Sequence, residues 1–518
     1  MFFTSSEFIF LFLPLALLGY YGLGKINVRF AAAWLAFTSV VYYGWFKPEY
    51  VVLLLASMAF NYTVSLAMAR AAAIPVRQAW LIFGICANLL LLFVFKYLSP
   101  ILGFLHSQGL TSTDHGTIAL PIGISFFTFT QIAYLVDSQQ GVAYEKNFTN
   151  YAVFVTFFPH IVAGPILHHK EMMPQFAHAG TYEMKTRNLV VGLSLFAMGF
   201  LKKMLIADQA RYFADAAFSA PHGLQVVTAW FGVLFYTLQI YFDFSGYSDM
   251  AIGLARLFGV RFPMNFNSPL KAKNMIEFWQ RWHITLTRYL TLYVYNPLAL
   301  WVARRRAAAG KPANRSATAT LGGFLPLIAF PTLVTMLSSG AWHGAGLQFV
   351  AWGALYAVYL MLNHAWHSYN YRRTRSARTA LVIPPLPARA LTFLAVLSAM
   401  VLFRSNSLHD AVTFYQSMLG MHGWSAHLGA SSLFQVVFAT VLCGIVWLTP
   451  NTQEILARYE PILETRSIRP AAVSAWLARS DLAGTTLRAG IAGISVAAVV
   501  LVLLSVSSGA KPFVYAFF

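Results

Sequence analysis

Long apolar runs, separated by short charged loops, recur from one end of the sequence to the other. Crossing a hydrocarbon core about 30 Å thick takes roughly 20 residues of helix, and these runs are long enough. In hydrocarbon every backbone N–H and C=O needs an internal partner, so a spanning chain folds as helices or as a closed barrel. A barrel would show alternating segments of about ten residues, and these are absent. The chain therefore reads as an all-α polytopic membrane protein. Composition agrees: of 518 residues, 58% are hydrophobic and 10% charged, against about 25% charged in soluble domains. No internal repeat or soluble boundary interrupts the pattern, so residues 1–518 read as a single integral membrane domain.

The net charge of +19 has no soluble basic domain to concentrate it, which argues against nucleic acid as a partner. It fits lysine and arginine marking cytoplasmic loops. Lys25 and Arg29, then Arg70 and Arg77, mark two such loops and place the N-terminus outside. Residues 98–116 carry no Lys or Arg and read as an outside loop. Arg372, Arg373, Arg375 and Arg378 mark an inside loop, and a span over 389–403 leads to the outside loop 405–432. A span over 433–448 returns to the Arg-rich residues 450–488, and a last span over 491–506 leaves the C-terminus outside. The first run, residues 8–24, has no basic residue before it and no small-residue cleavage site after it, so it reads as a retained helix. Cys86 and Cys443 lie inside apolar runs, which argues against a disulfide framework. Residues 151–167 sit between Lys146 and Lys170 and contain Pro159, Gly164 and Pro165. They read as a re-entrant segment, and broken backbone at that depth needs protein or a cavity around it.

Four polar islands interrupt the apolar surroundings, and an ionisable group at such depth needs a reason. The first, residues 241–249 (YFDFSGYSD), carries Asp243, Ser245 and Asp249. It reads either as a wall of a substrate passage or as a helix break whose carboxylates cap backbone groups. Ser245 lacks the G-x-S-x-G frame of a nucleophile elbow. The second, residues 277–288 (EFWQRWHITLTR), puts Glu277, Arg281 and Arg288 on one helical stripe. His283 falls on the opposite apolar face near Trp279, Leu286 and Leu290, inward-pointing or simply a core histidine. The third, residues 338–349 (SSGAWHGAGLQF), places Trp342 and His343 among Gly340, Gly344 and Gly346. A plain hairpin would leave His343 at the outer turn; the glycines either let it dip inward or only let helices pack closely. The fourth, residues 159–169 (PHIVAGPILHH), holds three histidines without metal-site spacing, and no H-E-x-x-H occurs, so no metal is expected.

Taken together, FWQRWHITLT at 278–287 and the later WHG at 342–344 resemble the membrane-bound O-acyltransferase superfamily. Residues 8–21, AGP at 163–165, 241–253, LFR at 402–404, PNTQE at 450–454 and the aromatic tail 512–518 resemble its alginate O-acetyltransferase-like branch. The resemblance covers essentially the whole chain. It implies about a dozen membrane helices plus re-entrant segments around a thin centre, with a tunnel from a cytosolic acyl-CoA mouth to a funnel on the far side. It makes His343 the catalytic histidine and His283 its partner, with Trp342, Trp279, Arg281, Asp243, Ser245 and Asp249 as candidate tunnel-lining or substrate residues. It implies acetyl-CoA as donor substrate with no resident cofactor, and a bacterial inner-membrane location. It also implies a periplasmic acetyltransferase partner, polysaccharide secretion machinery, and O-acetylation of an alginate- or cellulose-like exported polysaccharide. The alternatives are D-alanyl-type transfer to another envelope polymer, a flippase for a lipid-linked sugar, and a structural subunit that docks a partner through 406–431.

Overall fold

With no water to take up stray backbone groups, the apolar runs close into helices. A computed structural model describes residues 1–110, 118–424 and 430–464, with Ile468 and Phe513. Helices dominate and no strand occurs among the described residues. Six are long and apolar enough to cross a membrane: Glu49–Arg70, Ile74–Ser107, Thr186–Ser219, Val226–Leu257, Leu321–His343 and Pro385–Arg404. Phe8–Gly24 and Leu433–Leu448 are shorter apolar helices. The protein is an all-α, multi-pass membrane protein. The last span expected over 491–506, and the C-terminus with it, lie outside the described residues.

Prolines sit inside several of these helices without ending them. Pro14, Pro100, Pro297 and Pro331 each come two residues after a π-helical turn: Phe8–Phe12, Val94–Leu98, Thr291–Tyr295 and Leu325–Ala329. Proline has no N–H for the i−4 carbonyl and its ring crowds that carbonyl. A wider i→i+5 turn just before it accommodates both defects. One consequence corrects the sequence reading. The stretch expected to be an outside loop from residue 98 instead continues as helix Ser99–Ser107.

The chain divides into two compact units. The first comprises residues 1–205, 243–264 and 450–518. Its opening helices, Phe8–Gly24 and Val28–Gly44, are joined by a turn in which Asn27 Oδ1 accepts the N–H of Arg29 at 2.9 Å. That bond satisfies one orphan donor of the second helix. Asn61 and Asn88 exchange amide bonds of 3.2 and 2.7 Å between Glu49–Arg70 and Ile74–Phe93. Residues 151–167, the segment expected to be re-entrant, are all buried. The helix Phe148–Thr156 bends at Phe157 into the short Phe158–Ile161 and then into irregular backbone, so the interrupted stretch is sheathed in protein.

The second unit comprises residues 206–242 and 265–449. It carries the helices Phe330–His343 and Leu347–Arg375, which approach very closely. A Cβ on Gly340 would strike the carbonyl of Phe349 and lie 3.4 Å from Gly353 Cα, while a Cβ on Gly353 would strike the carbonyl of Met336. Small residues are what permit backbones to meet in this way. Arg372, Arg373 and Arg375 close the longer helix, where cations complement its carboxyl end. The stretch 405–432 contains the helix Leu408–Met418, started by Ser407 Oγ accepting from Asp410 N at 3.0 Å.

Candidate functional site

The site is built around a backbone turn that periodicity does not predict. Asn274 Oδ1 accepts from Glu277 N at 2.9 Å and starts the helix Met275–Trp279. The expected continuous helix over 277–288 does not form: it ends at Trp279, and the next, Ile284–Leu290, begins only after His283. His283 takes φ 43° and ψ 52°, the left-handed region, which non-glycine residues seldom occupy. Asn265 holds it there. Its Oδ1 accepts from His283 Nδ1 at 3.2 Å, from Thr285 N at 3.3 Å and from Thr285 Oγ1 at 2.9 Å. Its carbonyl accepts from Ile284 N at 2.9 Å.

This arrangement fixes the imidazole's chemistry. An oxygen that already accepts from a backbone N–H is the amide oxygen, so His283 Nδ1 carries the proton and Nε2 carries the lone pair. The side chain is fully buried, and burial pushes its pKa down to about 3. His283 is therefore a neutral ring at physiological pH. Glu277 and Arg281 do pair, at 2.8 Å, but Arg281 also donates to the carbonyl of Asn267 at 3.1 Å, bracing the same turn.

His343 ends the helix Phe330–His343, and Gly344 follows in extended backbone. The imidazole is 2% exposed. Its ring meets Trp342 at 4.9 Å, Trp352 at 5.1 Å and Phe403 at 5.1 Å between centroids, each close to edge-on. Trp342 also lies 6.3 Å from the His283 ring. Trp279 lies 5.9 Å from Trp352. The second unit thus brings His283, Trp342, His343 and Trp279 into one aromatic cluster. Asn265, Trp352, Tyr356 and Phe403 belong to it and were not singled out in the sequence. Asn265 had a signal, a polar residue in the irregular stretch 261–269; Phe403 sits in the LFR motif.

Asp243, Ser245 and Asp249 belong to the first unit and to a different construction. The helix Val226–Leu257 runs through them unbroken, which corrects the expectation of a break. The carboxylates take lysines. Lys203 Nζ lies 2.6 Å from Asp243 Oδ1, and Lys202 Nζ lies 2.6 Å from Asp249 Oδ2. Asp249 also accepts from Thr452 Oγ1 at 2.8 Å and from Gln453 Nε2 at 2.5 Å. Ser245 is buried beside them on the same helix. The three histidines of 159–169 have local partners too: His160 Nε2 with the carbonyl of Phe154 at 3.0 Å, His168 with Asp137 at 3.8 Å, and His169 with Glu145 at 3.7 Å.

Comparison with known proteins places the chain in a family. The sequence model of MBOAT, the membrane-bound O-acyltransferase family, matches residues 3–310, a stretch that contains His283 and stops before His343. Peptidoglycan O-acetyltransferase of Helicobacter pylori is 37% identical over 454 residues, covering 82% of this chain and 80% of the relative. The "Probable alginate O-acetylase" of Pseudomonas aeruginosa is 34% identical over 485 residues, covering 92% and 85%. Teichoic acid D-alanyltransferase of Bacillus subtilis is 26% identical over 330 residues, covering 63% and 79%. The chain therefore belongs to the membrane-bound O-acyltransferase family, in its alginate O-acetylase-like branch, and is an acyltransferase.

Proposed function

We propose that the protein takes an acetyl group from cytosolic acetyl-CoA at the site around His343 and His283 and delivers it across the bacterial inner membrane. The receiver is a periplasmic partner protein or, directly, a hydroxyl of an exported or envelope glycan. The observation that carries this reading is the pair of buried imidazoles gathered by Trp342 into one cluster, in a chain whose family transfers acyl groups. The relatives at 34 and 37% identity are named for O-acetyl chemistry, against 26% for the D-alanyl one; this favours acetyl over D-alanyl as the group moved.

The chemistry follows from what a hydroxyl needs. It attacks a thioester only as its proton leaves, and an imidazole is the side chain suited to take that proton near neutral pH. His343 takes it; the hydroxyl oxygen bonds the acetyl carbon, the C–S bond breaks, and the proton passes to the departing CoA thiolate. The attacking hydroxyl's one proton goes to His343, so His283, neutral and with its lone pair on Nε2, accepts a hydrogen bond from a second donor group of the bound substrate and orients it. A tunnel through a ring of helices lets donor and acceptor meet from opposite sides, so acetyl crosses and CoA does not. Trp342, Trp279 and Arg281 frame this passage in the second unit; Asp243, Ser245 and Asp249 belong to the ion-paired helix of the first.

The test is reconstitution in proteoliposomes, with acetyl-labelled acetyl-CoA on one side and acceptor glycan, with or without a candidate partner, on the other. Label on the acceptor and free CoA on the donor side support the reading. Movement of a lipid-linked sugar without any need for acetyl-CoA would replace it with a flippase.

A further inference from the structure

Around His343 the second unit buries three hydrogen-bond donors that the described residues leave unused. Trp279 Nε1, Trp352 Nε1 and the Tyr356 hydroxyl have no hydrogen-bond partner within the described chain, although their side chains are 7, 2 and 0% exposed. Buried polar groups are ordinarily paired, and an unpaired one asks for an explanation. Here the three are neighbours. Trp352 meets Tyr356 at 5.0 Å, Trp279 meets Tyr356 at 5.1 Å and Trp279 meets Trp352 at 5.9 Å, all close to edge-on. Trp352 meets the His343 ring at 5.1 Å. The donors come from two segments, the helix Met275–Trp279 just before the His283 turn and the helix Leu347–Arg375.

The rings also say what kind of group they await. A sugar is typically received on an open aromatic face, but these rings pack on one another, and Tyr356 is further stacked on Phe278 at 6.1 Å. What the cluster offers is two N–H donors and one O–H donor on rings at contact distance. That suits a small acceptor oxygen with a short chain.

We propose that Trp352, Tyr356 and Trp279 form the acyl subsite beside His343: their donors hold the carbonyl oxygen of the thioester, and their packed rings restrict the acyl chain to two carbons. Trp352 and Tyr356 are then the specificity-determining residues. This rests on the acetyl-CoA reading of the same site and names the side chains that make it acetyl.

Binding to the full chain in nanodiscs separates the two claims, with acetyl-CoA, butyryl-CoA and S-ethyl-CoA, which keeps the two carbons and lacks the carbonyl, as ligands. Wild type should bind acetyl-CoA about tenfold more tightly than S-ethyl-CoA and should disfavour butyryl-CoA. Tyr356→Phe, which keeps the ring and removes only the hydroxyl, should reduce the acetyl over S-ethyl preference severalfold. Trp352→Phe should reduce it too and should raise butyryl-CoA relative to acetyl-CoA about tenfold. Wild-type ratios in both variants would overturn the subsite while leaving the acetyl-CoA reading intact. Wild type that binds no acetyl-CoA would overturn both.

Discussion

One oxygen, Asn265 Oδ1, holds His283 in its left-handed turn and decides which of its nitrogens carries the proton. Asn265→Ala removes that acceptor and leaves the buried Thr285 N–H without it, at a cost of about 1–3 kcal/mol. The expected outcome is a folded protein of lower melting temperature whose acetyl transfer falls about 10–100-fold, read from kcat with KM little changed. A second prediction concerns pH. His283 is held near pKa 3 when folded and returns to about 6.5 when unfolded. Below about pH 6.5 the unfolded chain takes up a proton that the folded one refuses, so this residue's share of stability is complete above that pH and shrinks as pH falls. His283→Gln, which cannot protonate, should melt lower at pH 7 but lose less on going to pH 5 than wild type does. A steeper loss in the variant would contradict the neutral assignment. The depth of His283 was legible from its apolar neighbours in the sequence. Its turn was not, because the residue that imposes it lies 18 positions upstream, beyond the reach of a 3.6-residue period.

Among the elements, the helices Phe330–His343 and Leu347–Arg375 determine how close Trp352 and Tyr356 stand to His343. Their approach depends on Gly340 and Gly353. Gly353→Ala puts a methyl against the carbonyl of Met336, and relief requires the helices to part. The expected cost is about 1–3 kcal/mol, seen as a lower melting temperature together with reduced transfer, because the movement carries Trp352 away from the imidazole. The glycines around His343 were conspicuous in the sequence, read either as letting a broken segment dip inward or as letting helices pack closely. The structure gives Gly340 to close helix packing, a purpose that depends on a partner at 353 that no local pattern announces. The prolines show the same limit: Pro100 lies where a loop was expected, yet the π-turn before it carries the helix on to Ser107.

At the scale of the whole molecule, membrane character was the most legible property, because hydrocarbon thickness sets run length directly. The ionic cluster of the first unit was half legible. Asp243 and Asp249 were visible as polar islands; their lysines, 40 and 47 positions away, were not recognised as partners. The side chains of Lys203 and Asp243 are 1 and 2% exposed. Breaking such a pair from one side costs about 3–5 kcal/mol, whereas replacing both ends with apolar groups costs far less. Lys203→Met alone and Asp243→Leu alone should each lower the melting temperature markedly, and the double variant should regain most of the loss; additive losses would contradict the pairing. The central claim is that His343 takes the proton of the hydroxyl that attacks the acetyl group of acetyl-CoA. Its most direct test is purified His343→Ala in liposomes, assayed for label transfer from acetyl-CoA and for acetyl-CoA binding. The account predicts that transfer falls at least about 100-fold while binding persists; transfer at the wild-type rate in that folded variant would contradict it.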